Sequence, residues 1–152
     1  MRKSQGMEIL GKPALIADKD VESAALDGVV GFHIRLAHGA VYRHFSETFA
    51  QLELTQKQVS VLWLVGDQPG VAQIELGARL QMDRASTMTI VNRLAERGYI
   101  TRARATHDGR RQALALTESG ASALASAKAG IIEHETWLKA RFTADEVKNL
   151  VE

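Results

Sequence analysis

Hydrophobic residues recur at helical spacing along most of the chain after residue 28. They predict a long amphipathic helix over 29–52, whose apolar positions are Val30, Ile34, Ala37, Val41, Phe45 and Leu52. A second helix is predicted to begin at Thr55, because Thr55 and Gln58 form a T-x-x-Q capping box. Its buried side is predicted to consist of Val59, Leu62, Trp63 and Val65. The segment GDQPG then ends it.

Two shorter helices are predicted next, one over about 72–80 and one that begins after Asp83, a favourable N-cap, and ends at Gly98. The apolar positions of the second are Met88, Val91 and Leu94. Only a few residues separate the two helices, and Gly77 lies where a close approach needs a small side chain. The pattern therefore predicts a helix-turn-helix.

Beyond Gly98 the period changes from helical to alternating. YITRARA and QALALT alternate with period two around the turn-forming THDG, which predicts a β-hairpin. Thr117 begins a long alanine-rich helix, and a second capping box at Thr143 and Glu146 begins a final one. The predicted fold is mainly α with a small β-hairpin, and residues 1–25, which have no clear period, are predicted to form an arm.

Composition narrows the class of protein. A chain of 152 residues with 45% hydrophobic and 24% charged residues is typical of one globular domain. No apolar run approaches the ~18–20 residues that a membrane span needs, and the N-terminus lacks a secretory apolar region. We therefore expect a cytoplasmic protein without a membrane partner. The absence of cysteine excludes disulfides and thiolate chemistry.

The charge is unevenly distributed, although the net charge is only +1. Between Arg79 and Arg111 there are eight arginines and three acidic residues, which gives +5 for this segment. Such clustering is typical of proteins that bind a phosphate backbone, and a solvated surface of unpaired arginines is the alternative. The cluster includes the helix-turn-helix and the hairpin, so nucleic acid is the expected partner.

The order of these elements and their motifs resembles the MarR family of winged helix-turn-helix transcriptional regulators. The resemblance covers about residues 28–152, and its most specific parts are Asp108-Gly109-Arg110-Arg111, Leu116-Thr117-Glu118 with Gly120, and Arg93-Leu94. It implies a MarR-type domain over 26–152, with a DNA-binding lobe over about 55–117 and α-helical dimerisation regions over about 28–52 and 117–152. It also implies a homodimer with an effector pocket between the dimer helices and the lobe.

In a winged helix-turn-helix the helix over 84–97 is expected in the major groove of double-stranded DNA. Its candidate contacts are Arg84, which can donate two hydrogen bonds to guanine, the hydroxyls of Ser86 and Thr89, and Arg93. Thr87 and Met88 are left as either packing or base-contacting residues. Gln73 and Arg79 on the preceding helix are candidate phosphate contacts. A two-fold dimer would bind an inverted repeat with half-sites ~10 bp apart.

The tip of the hairpin, or wing, is predicted to enter the minor groove. Arg110 is the candidate for insertion into the negative potential of that groove. The resemblance implies that Asp108 accepts a hydrogen bond from an arginine across the turn and holds the wing in shape. Arg111 or Arg104 is its candidate partner, or else a phosphate contact. The alternative is a solvated turn with an ion pair of little consequence.

A small-molecule effector is expected, and no cofactor. Arg35, His38 and Tyr42 lie along one edge of the first helix and would suit an aromatic acid or an acyl-coenzyme A, with Trp63 able to stack on an aromatic ligand. The alternative is a charged rim on a dimer helix. The run HIRLAHGAVYRHF also resembles the hydroxycinnamoyl-coenzyme A responsive branch of the family.

The expected function is that of a ligand-responsive repressor. Three other classes of function are the alternatives. A winged-helix module that binds proteins and not DNA is one alternative, which the arginines disfavour. A metal-responsive regulator is another, but the five histidines have no metal-binding spacing, and His134 with its neighbours Glu133 and Glu135 is predicted to be solvated. An enzyme is not expected, because the sequence has no nucleophile–base set and no phosphate loop.

Overall fold

The computed structural model describes residues 25–104 and 112–152, and the chain divides into two units after Ala40. In the first unit the described residues form a 3-10 turn, Leu26–Gly28, and the first part of helix α1, Val30–Thr48. His33 Nε2 donates a hydrogen bond to the carbonyl oxygen of Asp27 at 2.7 Å. The predicted arm over 1–25, apart from Ala25, and the predicted wing tip over 105–111 lie outside the described residues.

The second unit begins at Val41 and contains the rest of α1 and all later elements. They are a 3-10 turn Ala50–Leu52, α2 Gln56–Asp67, β1 Val71–Ala72, α3 Gln73–Arg79, α4 Arg84–Glu96, β2 Ile100–Arg104, β3 Gln112–Leu116, α5 Glu118–Lys139 and α6 Ala144–Val151. The order of helices and hairpin is the predicted one. The first helix is shorter than predicted, because the chain continues from Thr48 into the 3-10 turn and Glu53 then takes a left-handed backbone, with φ at 49°.

The predicted helix starts are confirmed by their side-chain caps. Thr55 Oγ1 accepts a hydrogen bond from the backbone N–H of Gln58 at 3.3 Å, and Gln58 Oε1 accepts one from the N–H of Thr55 at 2.9 Å. Thr143 and Glu146 form the same reciprocal pair, and Thr117 caps α5. These bonds satisfy backbone donors that have no partner within a helix, so each cap fixes where its helix begins.

The predicted hairpin is part of a three-stranded antiparallel sheet with the order β1-β3-β2. Ile100 lies opposite Leu116, and the register continues to Arg104 opposite Gln112. β1 adds Val71 opposite Leu114 on the other edge of β3. This strand was not predicted, because two residues are too few to show an alternating pattern.

The core lies where α2, α3, α4 and β3 meet. Its fully shielded side chains include Val61, Leu62, Val65, Leu76, Val91, Leu94 and Leu114. Burying one such side chain stabilises a fold by roughly 1.5–3 kcal/mol, so this core gives the helix-turn-helix a rigid base. At Gly120, α5 packs directly on the backbone: an added Cβ would lie 1.9 Å from the carbonyl oxygen of Tyr99.

Helices able to cross a membrane are absent from the described part of the chain, where none combines sufficient length with sufficient apolar character.

Candidate nucleic-acid interface and effector cavity

The turn between α3 and α4 holds the two helices in a tight helix-turn-helix. Gln81 has a left-handed backbone, with φ at 50°, and the N–H of Met82 donates to the carbonyl oxygen of Gly77 at 2.9 Å. Gly77 is needed here, since an added Cβ would lie 2.8 Å from Thr87 Oγ1. The prediction of a close helix approach at Gly77 is therefore confirmed.

Helix α4 has one buried face and one exposed face. Thr87, Val91 and Leu94 are buried, whereas Arg84, Ala85, Met88, Thr89, Arg93 and Glu96 are exposed. The prediction that Met88 packs on the apolar face is wrong, because its side chain is 49% exposed. Thr87 takes the buried position instead and satisfies its hydroxyl by donating to the carbonyl oxygen of Asp83 at 2.8 Å. Position 88 then lies about 100° further round the helix.

Asp83 caps α4 and also binds the side chain of Ser86. The N–H of Ser86 donates to Asp83 Oδ1 at 2.8 Å, and Ser86 Oγ donates to Oδ2 at 2.6 Å. The hydrogen bond from the Ser86 hydroxyl, followed by the one from its backbone, lowers the pKa of Asp83. Because the hydroxyl proton is engaged, Ser86 can accept a hydrogen bond from a base amino group but cannot donate to a phosphate in this geometry.

The other predicted DNA contacts occupy different environments. Arg84, Thr89 and Arg93 are exposed on α4. Arg79 at the end of α3 is also exposed and donates to Gln68 Oε1 at 2.6 Å. Gln73, at the start of α3, is half-buried. The predicted wing residues Asp108, Arg110 and Arg111 lie outside the described residues, so their roles stay predictions.

Two further arginines of the basic segment, besides Arg79, bind the protein's own backbone or side chains. Arg97 donates to the carbonyl oxygens of Glu53 at 2.7 Å and Leu52 at 3.1 Å, and its guanidinium lies 4.8 Å from the centre of the Tyr99 ring. Arg102 donates to Asn92 Oδ1. Among the arginines whose side chains the structure describes, Arg84 and Arg93 on α4 are exposed and Arg79 is exposed at the end of α3.

A cavity of about 600 Å³ lies within the second unit. It is lined by Val41 and Phe45 of α1, by Gln56, Val59, Ser60, Trp63 and Leu64 of α2, by Leu80 after α3, and by Ile131, His134, Glu135 and Leu138 of α5. The lining is mostly apolar, and its size matches sites for small organic molecules. The cavity borders the helix-turn-helix through Leu80.

A pair of histidines forms the most unusual polar contact at this cavity. His44 Nδ1 and His134 Nδ1 lie 2.8 Å apart, so one ring donates and the other accepts. The His44 ring stacks on Trp137 with 3.9 Å between centroids. His134 is only 5% exposed, so the prediction that it is solvated is wrong. Burial, followed by the nearby His44, lowers the pKa of His134, and Glu135 acts in the opposite direction.

The predicted effector residues do not all lie at the cavity. Trp63 lines it, and the Lys128 ammonium lies 4.7 Å from the centre of the Trp63 ring. Tyr42, next to the lining residue Val41, is 53% exposed. Arg35 and His38 are exposed residues of the first unit, where the Arg35 guanidinium lies 5.3 Å from the Phe32 ring. The role of all four in binding an effector remains a prediction.

Several cavity residues were not predicted from the sequence, although their helical spacing indicates that they share one face. Ile131, His134, Glu135 and Leu138 occur at i, i+3, i+4 and i+7 and so share one face of α5. The signal was a histidine between the aliphatic residues Ile131 and Leu138 on one helical face. Among the residues described, no cluster of three or more histidine, aspartate or glutamate side chains is arranged to bind a metal ion.

Comparison with known proteins identifies the family. The MarR family model matches residues 52–111, which include the helix-turn-helix and most of the hairpin. A protein of Thauera aromatica, assigned as transcriptional regulatory protein for the hcr operon, is 30% identical over 142 residues, which are 93% of this chain and 86% of that protein. The chain belongs to the MarR family of transcriptional regulators. It is accordingly a regulator of transcription and not an enzyme.

Solved MarR-family structures are similar over most of this family member's length. The transcriptional repressor CouR bound to a 23-mer DNA duplex is 31% identical, with a TM-score of 0.77 over 83% of this chain and 89% of CouR. PcaV from Streptomyces coelicolor in complex with its natural ligand is 27% identical, with a TM-score of 0.75 over 85% of this chain and 91% of PcaV. The mainly α winged helix-turn-helix fold with a small antiparallel sheet is thereby confirmed.

Proposed function

We propose that this MarR-family protein is a cytoplasmic, ligand-responsive repressor. It binds an inverted-repeat operator as a homodimer and leaves the DNA when a small aromatic acyl compound, most favourably a coenzyme A thioester, occupies the cavity. The observation that carries this proposal is the exposed face of α4, where Arg84, Thr89 and Arg93 lie on a helix whose opposite face is fully packed.

Sequence recognition is assigned to that exposed face. Arg84 begins α4, where an arginine can donate two hydrogen bonds to a guanine edge in the major groove. Arg93 and Arg79 supply cations for the phosphate backbone. The similarity to CouR in its complex with a 23-mer duplex supports the same docking for this chain. The wing, with Arg110, is assigned to the adjacent minor groove.

The operator can be identified by selection from fragmented genomic DNA. The purified protein would retain the fragments that contain its site, and a gel shift on a recovered duplex would follow affinity from 50 to 200 mM salt. A binder that neutralises several phosphates should lose affinity steeply over this range, by roughly 10³-fold for six contacts. Affinity that is independent of salt, or retention of no fragment, would instead support a protein-interaction module.

Homodimerisation is proposed from apolar side chains that each unit leaves exposed. In the first unit Val30 is 65% and Ile34 is 64% exposed, although they belong to the apolar stripe predicted for the first helix. In the second unit Ile132, Phe142 and Leu150 on or near α5 and α6 are exposed. Exposed apolar residues on helices that the family uses for assembly favour an interface. Sedimentation equilibrium should give twice the monomer mass of 16.6 kDa.

The effector proposal depends on the chemistry of the cavity lining. The lining residues identified by the structure include Trp63 and Phe45 but no arginine or lysine, and they include the carboxylate of Glu135. A free carboxylate placed inside would be desolvated without a cationic partner, which is costly. A thioester removes that charge, and Lys128 beside Trp63 is a candidate for the phosphates of coenzyme A. The ligand-bound structure of the similar protein PcaV supports a small-molecule site in this fold.

Calorimetry with 4-hydroxycinnamate and with 4-hydroxycinnamoyl-coenzyme A tests this part of the proposal. The thioester should bind and the free acid should bind more weakly. Binding of neither compound would remove the aromatic acyl class of effector, whereas tighter binding of the acid would show that a cation outside the identified lining holds its carboxylate.

A further inference from the structure

His134 combines three properties that set it apart within the cavity. It is 95% shielded from solvent, it lines the cavity, and its Nδ1 is already engaged by His44. Its second ring nitrogen, Nε2, makes no hydrogen bond to any residue that the structure describes. No buried side-chain nitrogen or oxygen of the described residues lacks a hydrogen-bond partner, so Nε2 keeps contact with solvent, and a ligand that fills the cavity has to replace that contact.

We propose that His134 recognises an oxygen atom on the part of the ligand that enters the cavity, and that His44 acts as a positioning residue through its hydrogen bond to Nδ1 of His134. The inference rests on the proposed effector function of the cavity and specifies its ligand as an uncharged aromatic group that carries a hydroxyl or carbonyl oxygen. Nothing in the family comparison assigns either histidine a role.

The short distance between the two Nδ1 atoms determines what His134 can offer. A separation of 2.8 Å requires one proton between them. When His44 supplies that proton, Nε2 of His134 carries a hydrogen and donates. When His134 supplies it, Nε2 is an acceptor. Exchange between these two arrangements moves the shared proton from one Nδ1 to the other, while His134 Nε2 releases a proton to water and His44 Nε2 takes one up. Both arrangements are neutral, so His134 can match a carbonyl oxygen in one and a hydroxyl group in the other without a net charge in the cavity.

The surroundings hold the pair in one arrangement. His44 stacks on Trp137, whose ring lies 3.7 Å from the Arg141 guanidinium, and Phe45 meets the His134 ring edge-on with 5.6 Å between centroids. The Thr48 hydroxyl lies 3.4 Å from His44 Nδ1 and donates to the His44 carbonyl oxygen. The rings therefore have little freedom to reorient when a ligand enters.

The charges around the pair act in opposite directions on His134, because Glu135 favours the protonated ring whereas burial and His44 favour the neutral one. Glu135 on α5 also lines the cavity. The Arg141 guanidinium packs on the ring of Trp137, which in turn stacks on His44. The neighbouring charged residues of α1, Arg43 and Glu47, are exposed, and α2 contributes uncharged lining residues. Protonation of both rings would place two N–H groups against each other and break the hydrogen bond, so an acidic medium should weaken ligand recognition.

Two thioesters that differ by one hydroxyl provide the test. Calorimetry at pH 7.5 compares 4-hydroxycinnamoyl-coenzyme A with cinnamoyl-coenzyme A on the full chain. The wild type should bind the hydroxylated thioester about tenfold more tightly, because its hydroxyl pairs with Nε2 of His134, whereas the other thioester displaces solvent from this nitrogen without replacing the hydrogen bond. His134→Phe, which keeps an aromatic ring, should reduce this preference to about twofold or less. His44→Phe should reduce it in the same direction.

Two further variants separate recognition from packing. His134→Gln keeps a donor and an acceptor without a titratable ring, so it should retain part of the preference and keep it unchanged between pH 7.5 and 5.5, whereas the preference of the wild type should fall at pH 5.5. His33→Phe applies the same substitution to a histidine of the first unit and should change nothing. Operator binding in a gel shift establishes that each variant is folded.

The outcomes distinguish this inference from the proposal on which it rests. Equal affinity of the wild type for both thioesters, or a tenfold preference that survives His134→Phe, overturns the role of His134 and leaves the effector proposal intact. Binding of neither thioester overturns both. A preference that is lost in His134→Phe, partly restored in His134→Gln and sensitive to pH only in the wild type supports the inference.

Discussion

The exposed face of α4 and the cavity between α1, α2 and α5 use polar side chains in opposite ways. On α4 the guanidinium groups of Arg84 and Arg93 project into solvent from one helix. At the cavity, His134 of α5 lies in a mostly apolar lining and is hydrogen-bonded to His44 of α1, 90 residues earlier in the sequence. The first surface suits a long, highly charged polymer, and the second suits a small molecule with few polar atoms.

This difference predicts which solution condition affects each surface. Exposed charges are screened by salt, so DNA binding should respond to ionic strength. The buried ring of His134 is screened much less and should respond to pH. The response to salt and the response to pH therefore give independent readouts of the two surfaces.

Removing both exposed arginines of α4 should have the largest effect. Arg84→Ala together with Arg93→Ala should weaken operator binding about a hundredfold, because each arginine contact contributes roughly tenfold. Fluorescence anisotropy at several salt concentrations would measure the loss and a shallower salt dependence. Lys148→Ala, an exposed cation on α6, is the matched control. Unchanged affinity in the double variant would show that α4 does not face DNA.

Arg110→Ala tests the wing, which lies outside the described residues. Loss of an arginine from the minor groove should weaken operator binding at least about tenfold while the dimer stays folded. A gel shift and a circular dichroism spectrum would measure the two properties together. If affinity does not change, the wing is not a minor-groove contact and α4 alone carries recognition.

Arg97→Ala tests whether an arginine of the basic segment stabilises the fold and does not contact DNA. Its guanidinium donates to the carbonyl oxygens of Leu52 and Glu53, so its loss should lower the free energy of unfolding by about 1–2 kcal/mol. The salt dependence of operator binding should not change, because this arginine is turned toward the protein. Urea unfolding gives the first quantity and anisotropy the second. A shallower salt dependence would place Arg97 on the DNA.

The smallest predicted effect is the pH dependence of stability that comes from His134. Its pKa is lowered by burial and by His44, so between its folded pKa and about 6.5 the unfolded chain binds more protons than the folded chain. The free energy of unfolding should therefore fall as the pH drops through this window. Urea unfolding at pH 7.5 and 5.5 should show a smaller drop for His134→Gln than for the wild type. Equal drops would exclude a contribution from His134.

The exposed face of α4 was predictable because it lies on one helix. The side chains of Val91 and Leu94 fix the buried face of α4 by their spacing, and Asp83 marks its start, so the exposed positions of Arg84 and Arg93 follow. The error at Met88 has a local cause: a threonine can occupy the buried position when its hydroxyl bonds to a backbone carbonyl four residues earlier. Hydropathy alone ranks methionine above threonine for that position.

The cavity was not predictable in the same way, because four separate elements line it. Periodicity places His134 on a particular face of α5. It does not show that His44 of α1 packs against that face. The inward turn of Arg97 likewise depends on a backbone segment more than 40 residues away. Contacts of this kind are set by tertiary packing, which a one-dimensional pattern does not contain.

The central claim is that occupancy of the cavity and binding of operator DNA are linked. The most direct measurement is an anisotropy titration of the recovered operator duplex with and without saturating 4-hydroxycinnamoyl-coenzyme A at fixed salt and pH. Typical coupling between two sites predicts that the thioester raises the Kd for DNA by roughly 5–150-fold. An unchanged Kd, with thioester binding demonstrated by calorimetry in the same buffer, would contradict the account.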